Sequence, residues 1–195
     1  MRKTIFSIGI ALAVAGSVLL TGCAQQTQKA ASVKVGVAAD SSIIDEPGYY
    51  ENKTFGFSIK YPQTVFTERH ELLSGEVLSV EGPQVVPALV LGLDDIKKGV
   101  ALEDMGAEIL KILKQAYPTA KRLKIIEDKM IKLEGDIDAN YILMKWRYQG
   151  NIPLLSVFVT VYRDGKELQT AVTSTPGQPP VEQLKKWATA LIVSP

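Results

Sequence analysis

The chain has 195 residues, 46% of them hydrophobic and 22% charged, with a formal net charge of +1, a length and composition that suit one domain of ordinary size. Basic and acidic residues are interleaved along it, which removes the electrostatic basis for nucleic-acid binding, since that draws most of its affinity from Lys and Arg neutralising phosphates. One cysteine and one histidine are present, so an intrachain disulfide and a thiolate metal cluster are excluded, and any catalytic histidine relay has to use that single histidine.

The amino-terminal segment reads as a secretory signal. Arg2 and Lys3 precede an apolar run from Ile5 to Leu20 and a small-residue exit. Gly9, Gly16 and Ser17 loosen the run and no basic stop follows, whereas a membrane-crossing helix needs about 20 apolar residues. The exit, Leu20-Thr21-Gly22-Cys23, is a lipobox: cleavage is expected between Gly22 and Cys23, and Cys23 becomes the lipid-bearing first residue. Acyl chains gain about 0.8 kcal/mol per buried methylene and hold the mature protein on a membrane without crossing it. The expected site is the periplasmic face of the outer membrane in a diderm cell, or the outer face of the plasma membrane in a monoderm one. Cleavage removes two basic residues and no acidic one, which takes the formal charge from +1 to −1.

Residues 1–22 are thus the signal peptide, 23–48 a flexible tether and 49–195 a single folded domain. The tether is rich in Ala, Gln, Ser and Val without a period, and so little bulky apolar surface cannot offset its ordering entropy. The domain opens with Phe55, Phe57, Ile59 and Tyr61 alternating with smaller or polar residues up to Pro62, the pattern of a half-buried strand. Residues 77–81 and 88–93 read as the next strands, separated by a Gly82-Pro83 turn. Leu102, Met105, Ile109, Leu113 and Ala116 then fall on one helical stripe that ends before Pro118.

The second half is strand-rich. Residues 122–128 and 130–133 read as two strands ahead of Gly135, followed by strands at 139–148 and 153–162 that are apolar on both faces, the mark of a sheet covered on both sides. Asp164-Gly165 is a hairpin signal, with residues 167–173 as the returning strand. A Pro- and Gly-rich loop leads into a final helix with Val181, Leu184, Trp187, Ala188 and Leu191 on one stripe. The fold class is α+β: a largely antiparallel sheet covered by helices on both faces.

Residues Tyr49 to Pro62, with the core string Phe55-Gly56-Phe57-Ser58-Ile59-Lys60-Tyr61-Pro62, resemble the opening of PsbP-like proteins. Leu102-Glu103, Gly135 with Ala139, the Asp164-Gly165 hairpin and the closing helix near Ser194 follow in the same order. The resemblance implies an αβα sandwich and an accessory role on larger assemblies rather than catalysis. It transfers no metal ligands, because the histidine pattern of plant members is missing.

Chemistry-bearing constellations are few. His70, between Glu68 and Glu71 in a polar stretch, reads as a surface residue, not a general base. Asp136-x-Asp138-x-Asn140 copies the start of a calcium loop but has Tyr141 where glycine is needed and Arg147 where the bidentate glutamate belongs. Asp94 and Asp95 ahead of Lys97 and Lys98 read as a polar loop, and the basic clusters Lys121, Arg122, Lys124 and Lys185, Lys186 as solvated faces. No catalytic, cofactor or metal residue is assigned. The expectation is a lipid-anchored, non-enzymatic binding or assembly module with an envelope protein as partner. The alternatives are an envelope hydrolase using carboxylates near Asp94 or Asp136, and a small-ligand or metal carrier, for which no Cys or His set exists.

Overall fold

The computed structural model describes residues 43–193 except residues 74, 85 and 150. The signal segment, Gly22, Cys23 and most of the expected tether lie outside the described residues. In chain order the strands are β1 Ile43–Glu46, β2 Tyr49–Asn52, β3 Phe57–Lys60, β4 Glu68–Arg69, β5 Glu76–Glu81, β6 Ala88–Asp95, β7 Lys121–Leu133, β8 Ile137–Tyr148, β9 Ile152–Arg163, β10 Lys166–Ser174 and β11 Leu191–Val193. A 3-10 turn at Leu102–Asp104 leads into α1, Met105–Ala116, and α2 spans Val181–Ala188. The strands form two antiparallel sheets, a small one ordered β1-β2-β3-β11 and a large one ordered β4-β5-β6-β10-β9-β8-β7.

The centre of the large sheet follows from local sequence. Arg163 pairs with Lys166, leaving Asp164 and Gly165 as a two-residue turn with φ of 49° and 76°, the doubly positive geometry that suits the right-handed twist of a hairpin. Side chains alternate across the pleat, so Tyr141, Leu143, Val157 and Val159 join one core and Ile142, Met144, Trp146 and Phe158 the other. The second core is closed by Met105, Ile109, Ile112 and Leu113 of α1. The first is closed by Tyr50, Phe57 and Ile59 of the small sheet together with Leu184, Trp187 and Ala188 of α2. Several buried polar groups inside the large sheet satisfy one another across strands: Trp146 Nε1 donates to Ser156 Oγ at 2.9 Å, Ser156 Oγ meets Thr173 Oγ1 at 2.8 Å, and Gln169 Nε2 donates to Thr160 Oγ1 at 3.0 Å.

Several expectations are corrected. The structure has two sheets, and one face of the large sheet is covered by the small sheet as well as by α2. Helices of 12 and 8 residues do not cover seven strands, and Tyr50, Phe57 and Ile59 fill the remaining area. The expected tether ran to residue 48, yet β1 pairs with β2 around Gly48, whose φ is 81°. Since β1 is mostly exposed, backbone pairing rather than apolar burial holds it, and no hydrophobic period announces it. Residues Tyr49–Asn52, for which no strand was expected, are strand β2.

The two strands expected at 122–128 and 130–133 are one, β7. It is an edge strand, where charged side chains face solvent without breaking the ladder. The final helix stops at Ala188, and Leu191 and Val193 instead bury alternate side chains from β11, which pairs with β3. Leu191 continues the helical stripe by spacing alone, but Thr189, at φ −89° and ψ 2°, ends the helix. The two-residue strand β4 has no sequence signature at all.

Candidate functional site

The two edges of the large sheet carry opposite charge. At the β7 edge, Lys121 stands opposite Arg147 and Lys124 opposite Lys145, with the register shifted between Lys121 and Lys124. Arg122 sits in that irregularity at φ 55°. Like charges directly opposite in a ladder destabilise it, and here five cationic side chains gather without an acidic partner among the described residues. Arg122, Lys145 and Arg147 line a cleft of about 290 Å³ together with Trp146, Leu154 and Pro176. Its wall is rigid, because Trp146 is buried in a ring cluster, 5.4 Å from Tyr117 and 6.3 Å from Tyr148 between centroids. The arrangement offers fixed positive charge beside apolar surface, which suits a carboxylate-bearing or otherwise anionic partner.

The β4 edge is acidic and half-hidden. Glu68 stands opposite Glu81, and the His70 amide donates to Ser79 O at 3.1 Å, so Glu68, His70 and Glu81 share one face of the pleat. His70 is therefore not a solvated surface residue: its side chain is 26% exposed and its Nε2 lies 2.5 Å from Oε1 of Glu81, which is 5% exposed. Nε2 is buried and makes no well-formed hydrogen bond in this geometry. Burial raises the Glu81 pKa, opposed by the charge and the close side-chain contact of His70 and helped by the charge of Glu68. Burial likewise raises that of Glu76, opposed by the Leu73 amide, which donates to its Oε2 at 3.0 Å, and by the charge of His70.

The remaining candidates divide in the same way. Asp94 faces Glu167 across the β6–β10 ladder, and Glu167 faces Tyr162 on β9. Burial pushes Glu167 up to about 7, with Asp94 and Glu108 adding to the shift and Lys97 opposing it. Glu108 is drawn down by its hydrogen bond from Lys97. Tyr162 donates to Met105 Sδ at 3.1 Å, and its hydroxyl, buried near these acids, is pushed up to about 12. Glu167 thus holds a proton close to neutrality, the one feature that carboxylate chemistry at this end of the sheet would use. Asp95 pairs instead with Lys166 at 2.7 Å.

The calcium-loop copy is not assembled. Asp136 and Asp138 lie 3.4 and 3.1 Å from Lys132 Nζ, while Asn140 turns away and donates to Asp128 Oδ1 at 2.9 Å. Asp128 in turn lies against Gly106 in the first turn of α1, where an added Cβ would come within 2.9 Å of its Cγ; a carboxylate there is favourably placed against the helix dipole. Lys185 Nζ lies 5.6 Å from the Tyr141 ring centroid, so the basic cluster on α2, Lys185 with Lys186, is partly engaged in a cation–π contact. Sequence reasoning missed the association of Arg122 with Lys145 and Arg147, although the i, i+2 spacing of the latter two on a strand placed them on one face. Glu76 was missed because its role depends on the irregular register of β5 between Glu76 and Leu78.

No family model matches the chain, and no curated protein matches it. Among solved structures it is similar to cyanobacterial PsbP (CyanoP) from Synechocystis sp. PCC 6803, with a TM-score of 0.60 and 12% identity over 81% of this chain and 96% of that one. It is also similar, at a TM-score of 0.45 and 18% identity, to a Pseudomonas aeruginosa protein of unknown function described as a putative regulator, over 71% of this chain and 92% of that one. A Bacteroides thetaiotaomicron protein aligns at a TM-score of 0.44 and 15% identity, covering 72% of this chain and 46% of that one. The first of these likenesses is one of architecture, and it gives the conclusion that the α+β fold of this chain, with its mostly antiparallel sheets and few helices, is PsbP-like.

Proposed function

We propose that this protein is a membrane-anchored, non-enzymatic accessory module of the bacterial cell envelope, held by lipid on Cys23, which docks an acidic surface of an envelope protein through the β7–β8 edge. The observation that carries the reading is the basic cleft. Two cation pairs that face each other across a ladder, with Arg122 beside them, are a standing cost to folding, and an anionic partner removes it. Exposed Pro153 and Pro176 beside the charges give that partner an apolar anchor, backed by the buried Trp146. The tether places the domain at the membrane, and among the described residues no helix is long and apolar enough to cross it. The alternative is a hydrolase using loop carboxylates near Asp94 or Asp136; Asp94 faces Glu167 of β10 across the ladder.

Crosslinking in intact cells tests the reading. Wild type should enrich a defined envelope protein with an acidic surface, and the Arg122→Glu, Lys145→Glu, Arg147→Glu triple variant should reduce that enrichment to the level of a control carrying only residues 1–48. Cys23→Ser should move the protein out of the lipidated membrane pool. Equal crosslinking by the triple variant would remove the basic cleft as the docking surface.

A further inference from the structure

We propose that Glu68, His70 and Glu81, with Glu76 beside them, form a binding site for a divalent transition metal of the zinc class. One ligand atom from each of Glu68, His70 and Glu81 lies within 4.8 Å of the other two. The set is a product of strand register: Glu68 and Glu81 are direct cross-strand neighbours, and His70 follows Glu68 by two residues on the same face. Two carboxylates placed opposite each other repel, and a buried carboxylate is costly unless a cation meets it.

No permanent cation fills that role from β4. Arg69 alternates to the other side, where it pairs with Asp45 and donates to Tyr61 Oη at 2.9 Å. Against the carboxylates of Glu68 and Glu81 a protonated His70 supplies one positive charge, so a divalent ion beside the neutral ring brings the three groups to neutrality where a proton alone does not.

The nitrogen is placed for the role. With the proton on Nδ1, Nε2 presents a lone pair toward Glu81 Oε1, 2.5 Å away; that is the separation of a shared proton, and an ion held tetrahedrally at about 2.0–2.2 Å from both atoms would part them to roughly 3.3 Å. Glu76 supplies an independent sign of a missing partner. It is 9% exposed, its Oε1 is buried with no hydrogen-bond partner, and it lies within the electrostatic reach of His70. Imidazole selects transition ions over calcium or magnesium, and three nitrogen and oxygen ligands leave a fourth position open for water, as in zinc sites with an accessible position. Zinc takes His nitrogen at about 2.0–2.1 Å and carboxylate oxygen at about 2.0–2.2 Å; exposed Glu68 has the freedom to close the set. The residues involved are separate from the basic cleft, so this site and the docking surface stand or fall independently.

Zinc alone is the probe. The full chain in detergent, carrying Cys23→Ser so that its one thiol contributes nothing, is titrated against a chromogenic chelator. His70 is followed by NMR, which is unambiguous because the sequence contains one histidine. The expected result is one zinc bound per chain, a zinc-induced shift of the His70 ring signals and a rise in Tm, since an ion that binds only the native state stabilises it. His70→Gln and Glu81→Gln should each weaken binding by at least about 10- to 100-fold, the range seen even for loss of groups that merely support a ligand, while Asp136→Asn with Asp138→Asn leaves it unchanged. Should the buried variants fail to fold, exposed Glu68→Gln should still weaken binding at unchanged far-UV circular dichroism. Absence of stoichiometric binding, binding that survives these substitutions, or a His70 signal that titrates with pH and ignores zinc would overturn the site. The last result would assign the Nε2–Oε1 contact to a shared proton.

Discussion

At one edge of the large sheet, β7 and β8 oppose Lys121 to Arg147 and Lys124 to Lys145; at the other, β4 and β5 oppose Glu68 to Glu81. Both edges place like charges across a ladder, yet they handle the cost differently. The cations of the β7 edge are mostly exposed, so water screens them and the edge stays open to a partner. Glu81 is buried, so its charge is met inside the protein, by His70 and, under the metal-site proposal, by an ion. Under the two proposals, the same sequence device, like charges in register, serves as a docking surface where it is solvated and as an internal site where it is not.

The largest expected effect tests whether the basic cleft depends on the core behind it. Trp146→Ala removes a ring that is 1% exposed and donates to Ser156; a loss of about 3–5 kcal/mol is expected for deleting such a buried aromatic. Denaturant unfolding measures it, and a loss below about 1 kcal/mol would show that the aromatic wall is not part of the packed core. A pair of charge swaps probes the edges themselves. Lys121→Glu and Glu68→Lys each turn a like-charged cross-strand pair into an opposite one, worth roughly 0.2–1 kcal/mol of stabilisation. The gain should be larger for Glu68→Lys in zinc-free protein, where the facing carboxylate is buried, and equal gains at both edges would erase the contrast drawn between them.

A pH-dependent effect concerns the acid between the edges. The Glu167 pKa is raised from 4.5 to about 7 by burial first and by neighbouring acids second. Because the folded value lies above the unfolded one, its contribution to stability is fully present below about pH 4.5 and is lost as the pH rises through about 7. Thermal melts across pH 4.5 to 8 should show Glu167→Gln gaining on the wild type towards pH 8. A wild-type minus variant difference that does not change over that window would place the titration elsewhere.

Legibility in the sequence followed the range of the interactions. Strands β8, β9 and β10, the Asp164-Gly165 hairpin and helix α1 were readable from period and turn chemistry, because neighbours within a few residues determine them. The hairpin of β1 with β2 and the two-residue β4 were not, since each exists through pairing with a strand and carries little apolar signal of its own; the apolar β11 was hidden because Leu191 also fits the helical stripe before it. At the sites, Glu68 and His70 could be named as neighbours, but Glu81 stands eleven residues beyond His70 and Arg147 stands 25 residues beyond Arg122.

By itself, then, the sequence determined the alternation that makes the central sheet apolar on both faces, the helical stripe of α1 and the scarcity of thiol and imidazole groups. It also supplied the expectation that Cys23 is a lipid anchor. The tertiary structure decided which charges meet. Strand register is set by how remote segments pack against a common core, so the face shared by Glu68, His70 and Glu81, and the cleft shared by Arg122, Lys145 and Arg147, exist once the chain has closed both sheets around that core.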